Sequence, residues 1–272
     1  MLLLNGKKVD FKTFPNGELL LKKEEVNPKL QNNISLKYEN DGDLIKLLIL
    51  KKYLKLDSAL TIYYMPYSRM DRSEEGSPFT LKYISDFINE LGFTSVEIVE
   101  PHSDVTPALI NNSHPNFINF KLIHKVINET KFNPENDYLF FPDAGAAKRY
   151  SKMKYPHLVG YKERDFSTGE IKSLKLVGDM PERKFKAIIV DDLSSYGGTF
   201  IKSAMKLREA GASEVYLLVA HAENSIFEGD IFKTELINKV FTTDSLLTKQ
   251  NDWNNKKHED RLRVYKIEEE IN

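Results

Sequence analysis

The chain has 272 residues, enough for one large or two ordinary domains, and its 41% hydrophobic and 29% charged residues are the balance of a soluble globular protein. A net charge of −1 gives no support to a nucleic-acid partner, and the absence of cysteine excludes disulfides, thiolate catalysis and cysteine zinc sites. No apolar run approaches membrane-spanning length, and the start MLLLNGKKVDF is too short and too quickly polar for a signal peptide, so a cytoplasmic protein with no membrane partner is expected.

In chain order, residues 1–4 read as a first strand. Phe14-Pro15-Asn16-Gly17-Glu18, followed by three leucines, reads as a turn between two strands, by itself a surface hairpin. Residues 43–54 carry Leu and Ile at helical spacing and belong to a core. Residues 59–65 read as the next strand, ended by Pro66, and Arg69, Asp71 and Arg72 follow it. The C-terminal end of a strand is where ligands bind in open α/β sheets, although exposed ion pairs produce the same R-x-D-R pattern. An amphipathic helix over 80–91 is closed by Gly92. Residues 95–99 read as another buried strand, with Glu100-Pro101-His102 at its C-terminal end, a setting that His114, His124, His157 and His258 lack. A stretch over 111–136, polar at its ends and with one helix at 120–128, contains the domain boundary, giving domains 1–122 and 123–272.

The second half starts a new βα series. Strand 138–141 runs into Pro142-Asp143-Ala144-Gly145 and a helix, where Asp143 suits the N-cap. Strand 157–161 continues into Lys162-Glu163-Arg164. If this stretch is extended, Lys162 and Arg164 share one face; they form either an anion site or a solvated hairpin edge. Residues 165–171, with Ser, Thr and Gly, read as a loop. Residues 187–190 read as a buried parallel strand, directly followed by Asp191 and Asp192. Ser194-Ser195-Tyr196-Gly197-Gly198-Thr199 then forms a loop, and Phe200, Ile201, Ala204, Met205 and Leu207 mark a helix whose C′ position suits Gly211. A strand, a glycine-bearing turn and a helix N-terminus make a phosphate cradle. Two carboxylates beside it repel phosphate and suit sugar hydroxyls or a metal ion, so the pair of features describes a pentose-phosphate site. The alternative is a plain βα turn with solvated acids. Residues 214–221 and 262–267 read as further strands.

The segment VDDLSSYGGT (190–199) resembles the phosphoribosyl-diphosphate loop of the type I phosphoribosyltransferase fold, and its flanks are most similar to the ribose-phosphate diphosphokinases, or PRPP synthetases. The hairpin resembles that family's F-S-D-G-E, residues 66–72 its P-Y-x-R-Q-D-R, residues 100–102 its D-L-H, and residues 142–149 its S-P-D-x-G-G-x-x-R. The family also carries K-x-R at the place of Lys162 and Arg164, on a mobile catalytic loop, and V-G-D at 177–179. This chain departs at Asn16, Met70, Pro101 and, in the usual D-D-x-x-D-T-x-G-T loop, at Ser195 and Tyr196, which replace Asp and Thr. The family's helical tail is also absent.

The resemblance implies an α/β protein of two similar phosphoribosyltransferase-like domains, each a mostly parallel sheet flanked by helices. It implies transfer of a diphosphate from Mg²⁺-ATP to the anomeric hydroxyl of a ribose 5-phosphate, releasing AMP. In that scheme Phe14, Asn16 and Glu18 serve the adenine of ATP bound to a neighbouring subunit, which makes the protein a homo-oligomer. Arg69, with Asp71 and Arg72, serves the ATP phosphates; a guanidinium fork suits phosphate oxygens. His102, counted with the catalytic residues, and Asp143 serve Mg²⁺ and the nucleotide. Asp191 and Asp192 hold the ribose diol, and Ser194, Ser195, Tyr196, Gly197, Gly198 and Thr199 hold the phosphate. Lys162 and Arg164 stabilise the moving diphosphate. Replacing Asp-Thr by Ser195-Tyr196 suits a substituted phosphate, with ADP-ribose as the candidate acceptor. A phosphoribosyltransferase that consumes PRPP, or a non-catalytic regulatory paralogue, is the alternative.

Overall fold

The computed structural model describes residues 1–22, 26, 32–54, 56–74, 76–164, 171–180, 183–251, 253 and 258–271, without the side chains of residues 162–164, 171–173 and 251. Two compact units divide the chain: Met1–Phe117 with Ile271, and Ile118–Glu270. No helix among the described residues is long and apolar enough to cross a membrane.

The first unit contains β1 (Leu2–Leu4), β2 (Lys7–Lys8), β3 (Phe11–Thr13), β4 (Leu19–Leu21), β5 (Asn32–Leu36), α1 (Gly42–Tyr53), β6 (Ser58–Ile62), α2 (Thr80–Glu90), β7 (Val96–Val99), α3 (Val105–Leu109) and β8 (Ser113–Asn116). Among the described residues its main sheet has the order β2-β1-β5-β6-β7-β8, with β5 to β8 parallel. The loops that leave β5, β6 and β7 therefore emerge along one edge. Apolar side chains at strand and helix spacing meet in a core of Ile34, Leu36, Leu47, Leu50, Leu60, Ile62, Leu81 and Ile98, each at most 1% exposed. The strand expected over 59–65 stops at Ile62. Tyr63, Tyr64 and Met65 are buried by packing rather than by the sheet ladder, and their apolar character reads as strand in sequence.

The second unit contains α4 (Asn119–Thr130), β9 (Tyr138–Phe141), α5 (Ala144–Arg149), β10 (His157–Arg164), β11 (Ile171–Val177), β12 (Phe185–Ser194), α6 (Gly198–Glu209), β13 (Ala212–Ala222), β14 (Lys239–Thr243), β15 (Leu262–Tyr265) and α7 (Ile267–Glu270). The described strands are ordered β11-β10-β9-β12-β13-β14-β15, and every neighbouring pair but β10–β11 is parallel. The chain leaves β9 towards β10 on one side and returns as β12 on the other. That reversal is a topological switch point, where the outgoing connections diverge and leave a crevice at the strands' C-terminal ends.

Two expectations need correction here. The strand expected over 187–190 spans Phe185–Ser194, because β13 continues to pair as far as Ser194↔Ala222, so Asp191 and Asp192 lie on the strand rather than after it. The strand expected over 262–267 ends at Tyr265, and Ile267 instead opens a helical turn, its N–H donating to Asp244 Oδ1 at 2.8 Å. Along α6, Phe200, Ala204 and Leu207 face the core as the spacing required, whereas Met205 is 46% exposed. Gly211 takes φ +100° just past the C-cap Ala210, a left-handed conformation that ends the helix without a Cβ penalty.

Candidate active site

The switch point of the second unit brings together residues from three parts of the chain. Asp143 leaves β9 and caps α5, its Oδ1 accepting from the Ala146 N–H at 3.0 Å. Asp191 and Asp192 lie near the C-terminal end of the neighbouring strand β12. Arg149, in the last turn of α5, sends Nη1 to within 3.8 Å of Asp192 Oδ1, and Asn119 of α4 donates Nδ2 to the Asp191 carbonyl at 2.8 Å. Arg149 and Asn119 were not among the residues singled out from sequence. Arg149 stood inside the motif, but its partner is set only by the pairing of β9 with β12.

The Asp191 carboxyl is pushed well above the ordinary carboxylate range, first by burial and then by the negative charges of Asp192 and Asp143. Such a site favours a proton, hydroxyl donors or a cation. It also carries a folding cost. The folded chain holds the Asp191 proton more tightly than the unfolded chain, so this group's contribution to stability falls as pH rises from about 4 through the raised value. Asp191→Asn keeps the Oδ1 that accepts the Asp192 N–H at 2.9 Å and removes the charge. It is therefore expected to unfold at a higher temperature than wild type at pH 7, with the gap closing below about pH 4. Thermal unfolding of both proteins across pH checks this, and a less stable variant at pH 7 contradicts it.

Beyond Ser194 the loop turns into α6. Gly197 has φ +85° and is the N-cap, without a side-chain cap, and no acid lies in the first turn. A Cβ on Gly197 would stand 2.1 Å from Ile231 Cδ1, whereas one on Gly198 would meet nothing within 4 Å. Gly197 is thus required by the fold, and Gly198 leaves room for close approach by a ligand. Ser194 is fully buried, Thr199 is half-buried with its carbonyl accepting from Ser203 Oγ at 2.9 Å, and the Tyr196 ring is 59% exposed.

In the first unit, β3 and β4 pair as the expected hairpin, closed by Phe14 N–H to Glu18 O at 2.9 Å and by Glu18 N–H to Asn16 Oδ1 at 3.2 Å. Phe14 is exposed at its tip, with Lys12 Nζ 5.1 Å from the ring centroid. The loop after β6 exposes Arg69 and buries Asp71, which accepts from Arg72 Nε at 2.8 Å. Burial pushes the Asp71 carboxyl up, but the Arg72 hydrogen bonds and the charges of Arg72 and His102 outweigh it and hold the carboxyl below its ordinary value. Asp71 and His102 are therefore neighbours, one from the end of β6 and one from the end of β7. Both loops carry a non-glycine residue in the left-handed region, Tyr67 at φ 62° and Glu100 at φ 41°. Tyr67 is held there by its hydroxyl, which donates to Asp41 Oδ1 at 2.6 Å, and Tyr38 donates to the same oxygen at 2.7 Å. Backbone held in this region concentrates at ligand sites.

Lys162 and Arg164 lie on β10, paired in backbone register with Leu174 and Ile171 of β11; their side chains, and the expected loop over 165–170, lie outside the described residues. Among the described residues no three His, Asp or Glu side chains are grouped to cage a metal by themselves. Mg²⁺ does not need such a cage, since it usually binds one or two carboxylates together with substrate phosphates and water.

No family model matches the chain. It is 27% identical over 232 residues to the ribose-phosphate pyrophosphokinase of Saccharolobus solfataricus, covering 79% of this chain and 76% of that one. It is 26% identical over 256 residues to that of Pyrococcus abyssi, covering 88% and 85%. Ribose-phosphate pyrophosphokinase 4 of Saccharomyces cerevisiae is 30% identical over 209 residues, 74% of this chain and 62% of the yeast protein. The crystal structure of phosphoribosylpyrophosphate synthetase from Mycobacterium smegmatis shares the fold, with a TM-score of 0.75 at 19% identity over 96% of this chain and 86% of that one. With relatives of that name along most of its length, and that fold, the chain is a transferase similar to the ribose-phosphate pyrophosphokinases (PRPP synthetases).

Proposed function

We propose that the protein moves the β,γ-diphosphate of ATP to the anomeric hydroxyl of ribose 5-phosphate, or of a ribose whose 5-phosphate is substituted, and releases AMP. The observation that carries this reading is the set of Asp143, Asp191 and Asp192 at the switch point, next to a glycine-bearing helix N-terminus. Sugar hydroxyls and phosphate have their complementary partners side by side there. The hydroxyl oxygen bonds to the β-phosphorus, the bond from that phosphorus to the α-phosphate oxygen breaks, AMP leaves with that oxygen, and the hydroxyl proton passes to water. Such a transfer needs alignment and charge neutralisation more than covalent help.

In the second unit Asp191 and Asp192 accept from the ribose diol, and Ser194 to Thr199 hold the phosphate. In the first unit Arg69, with Asp71 and Arg72 beside it, holds ATP phosphates. Phe14, Asn16 and Glu18 serve the adenine of a neighbouring copy, so the working unit is at least a dimer. The donor set of the second unit fits Mg²⁺: the crowding that raises the Asp191 carboxyl is relieved by a hard dication, which Asp143 would help to hold, and in the first unit His102 would serve metal-bound nucleotide. When bound, the ion neutralises charge on the diphosphate.

A second reading concerns the acceptor. The exposed Tyr196 ring stands at the cradle where the family has Thr, and an exposed aromatic face suits a base attached through the phosphate, as in ADP-ribose. One experiment tests both. AMP release from Mg²⁺-ATP is measured with no acceptor, with ribose 5-phosphate and with ADP-ribose, on enzyme whose assembly is followed by sedimentation. Acceptor-dependent AMP release by an oligomer is expected, and its absence with both acceptors removes the proposed activity. On the second reading Tyr196→Thr shifts kcat/KM about tenfold towards ribose 5-phosphate, the size of losing one aromatic contact. An unaltered ratio removes the ADP-ribose reading alone.

A further inference from the structure

The segment that follows β13 packs backbone to backbone against the loop. The Glu223 N–H donates to the Ser194 carbonyl at 2.9 Å. A Cβ on Gly229 would lie 1.9 Å from the Tyr196 carbonyl oxygen, and Gly197 is closed off by Ile231 on the same side, so the two backbones have no room to slide. Side chains complete the contact. Ser225 Oγ donates to Glu223 Oε2 at 3.2 Å, and Ser195 Oγ stands 3.1 Å from Ser225 Oγ.

Counting protons sets the direction of this chain. An ionised carboxylate only accepts, and a serine hydroxyl has one proton to give. Once the Ser225 proton goes to Glu223, the proton between the two hydroxyls must come from Ser195. Ser195 therefore spends its only donor on Ser225 and has only lone pairs left to offer whatever the loop binds. Lone pairs facing a dianionic phosphate oxygen are repulsive, while a ligand hydroxyl or a phosphate with one charge is admitted.

We propose that Glu223, acting through Ser225, is a specificity-determining positioning residue of the loop. It holds Ser195 as an acceptor and selects a ligand of reduced negative charge at that point over a dianionic phosphate monoester. This rests on the reading that the loop holds a sugar phosphate. Glu223→Gln keeps the size of the side chain and supplies an amide N–H, which frees the chain to reverse so that Ser195 donates into the cradle.

The test is calorimetric binding of ribose 5-phosphate, with KM values for ribose 5-phosphate and ATP, for wild type, Glu223→Gln, Ser195→Ala and the double variant. Glu223→Gln is expected to bind ribose 5-phosphate about tenfold more tightly, the scale of one hydrogen bond to a charged group, with KM for ATP unmoved. The gain is expected to vanish when Ser195 is Ala. Damage to the fold cannot produce a gain of affinity. Unchanged or weaker binding by Glu223→Gln, a gain that persists without Ser195, or no binding by wild type and variant alike overturns the proposal. Wild type that binds ribose 5-phosphate without releasing AMP overturns the proposed activity instead and leaves the binding comparison standing.

Discussion

Lys162→Ala and Arg164→Ala are each expected to lower kcat about 10²–10³-fold, the loss typical of removing one preorganised charge-stabilising donor, while KM for ATP changes little. A contact made mainly in the transition state lowers kcat without weakening ground-state binding. Both residues lie on β10, and the extra residue of the β10–β11 ladder is Lys172 on β11, because Glu163 opposes Ser173 and Arg164 opposes Ile171. The two-residue spacing of the cations along β10 is therefore uninterrupted. Two such cations repel unless an anion joins them, and a diphosphate in transfer is one. Steady-state rates of AMP release for each variant check the expectation, and near-normal turnover in either removes that residue from the mechanism.

Gly197→Ala is expected to cost about 2–5 kcal/mol of stability, combining a left-handed backbone with overpacking, and to abolish acceptor binding. The new methyl would enter at φ +85° and meet Ile231 Cδ1 at 2.1 Å and Cγ1 at 2.6 Å. Ile231 is fully buried in the core of the second unit, so it cannot swing out into solvent. Gly198→Ala is the control, because its Cβ would meet nothing within 4 Å. That variant is expected to fold with wild-type stability and to lose affinity for the acceptor phosphate, whose approach the methyl obstructs. Denaturant unfolding paired with ribose 5-phosphate binding separates the two. Equal stability of the two variants contradicts the account of Gly197, and wild-type affinity in Gly198→Ala contradicts close approach at Gly198.

Several strand and helix bounds could not be read locally. β8 has the sequence Ser-His-Pro-Asn, with no apolar alternation and a proline; it is a strand only because it lies at the sheet edge, where a missing N–H is tolerated. β12 outran its apolar core because β13 offers it ladder partners through Ser194. Conversely, Tyr63 to Met65 were apolar enough to read as strand but are buried off the ladder.

What the sequence by itself determined was local: the amphipathic stripes of α2 and α6, the hairpin around Pro15-Asn16-Gly17, the glycine that ends α6, and a loop whose residue types suit a sugar and a phosphate. These depend on side-chain period, on positive φ and on hydrogen-bonding type, all carried by residues a few positions apart. What only the tertiary structure decided was which distant groups share that site. Asn119 reaches Asp191 across 72 positions, and Ser225 reaches Ser195 across 30. The order of β9, β10 and β12 sets the switch point that brings Asp143 and Arg149 to the paired acids. Strand order and register come from nonlocal pairing, in which each strand takes its partners from the whole sheet, and no local period encodes that choice.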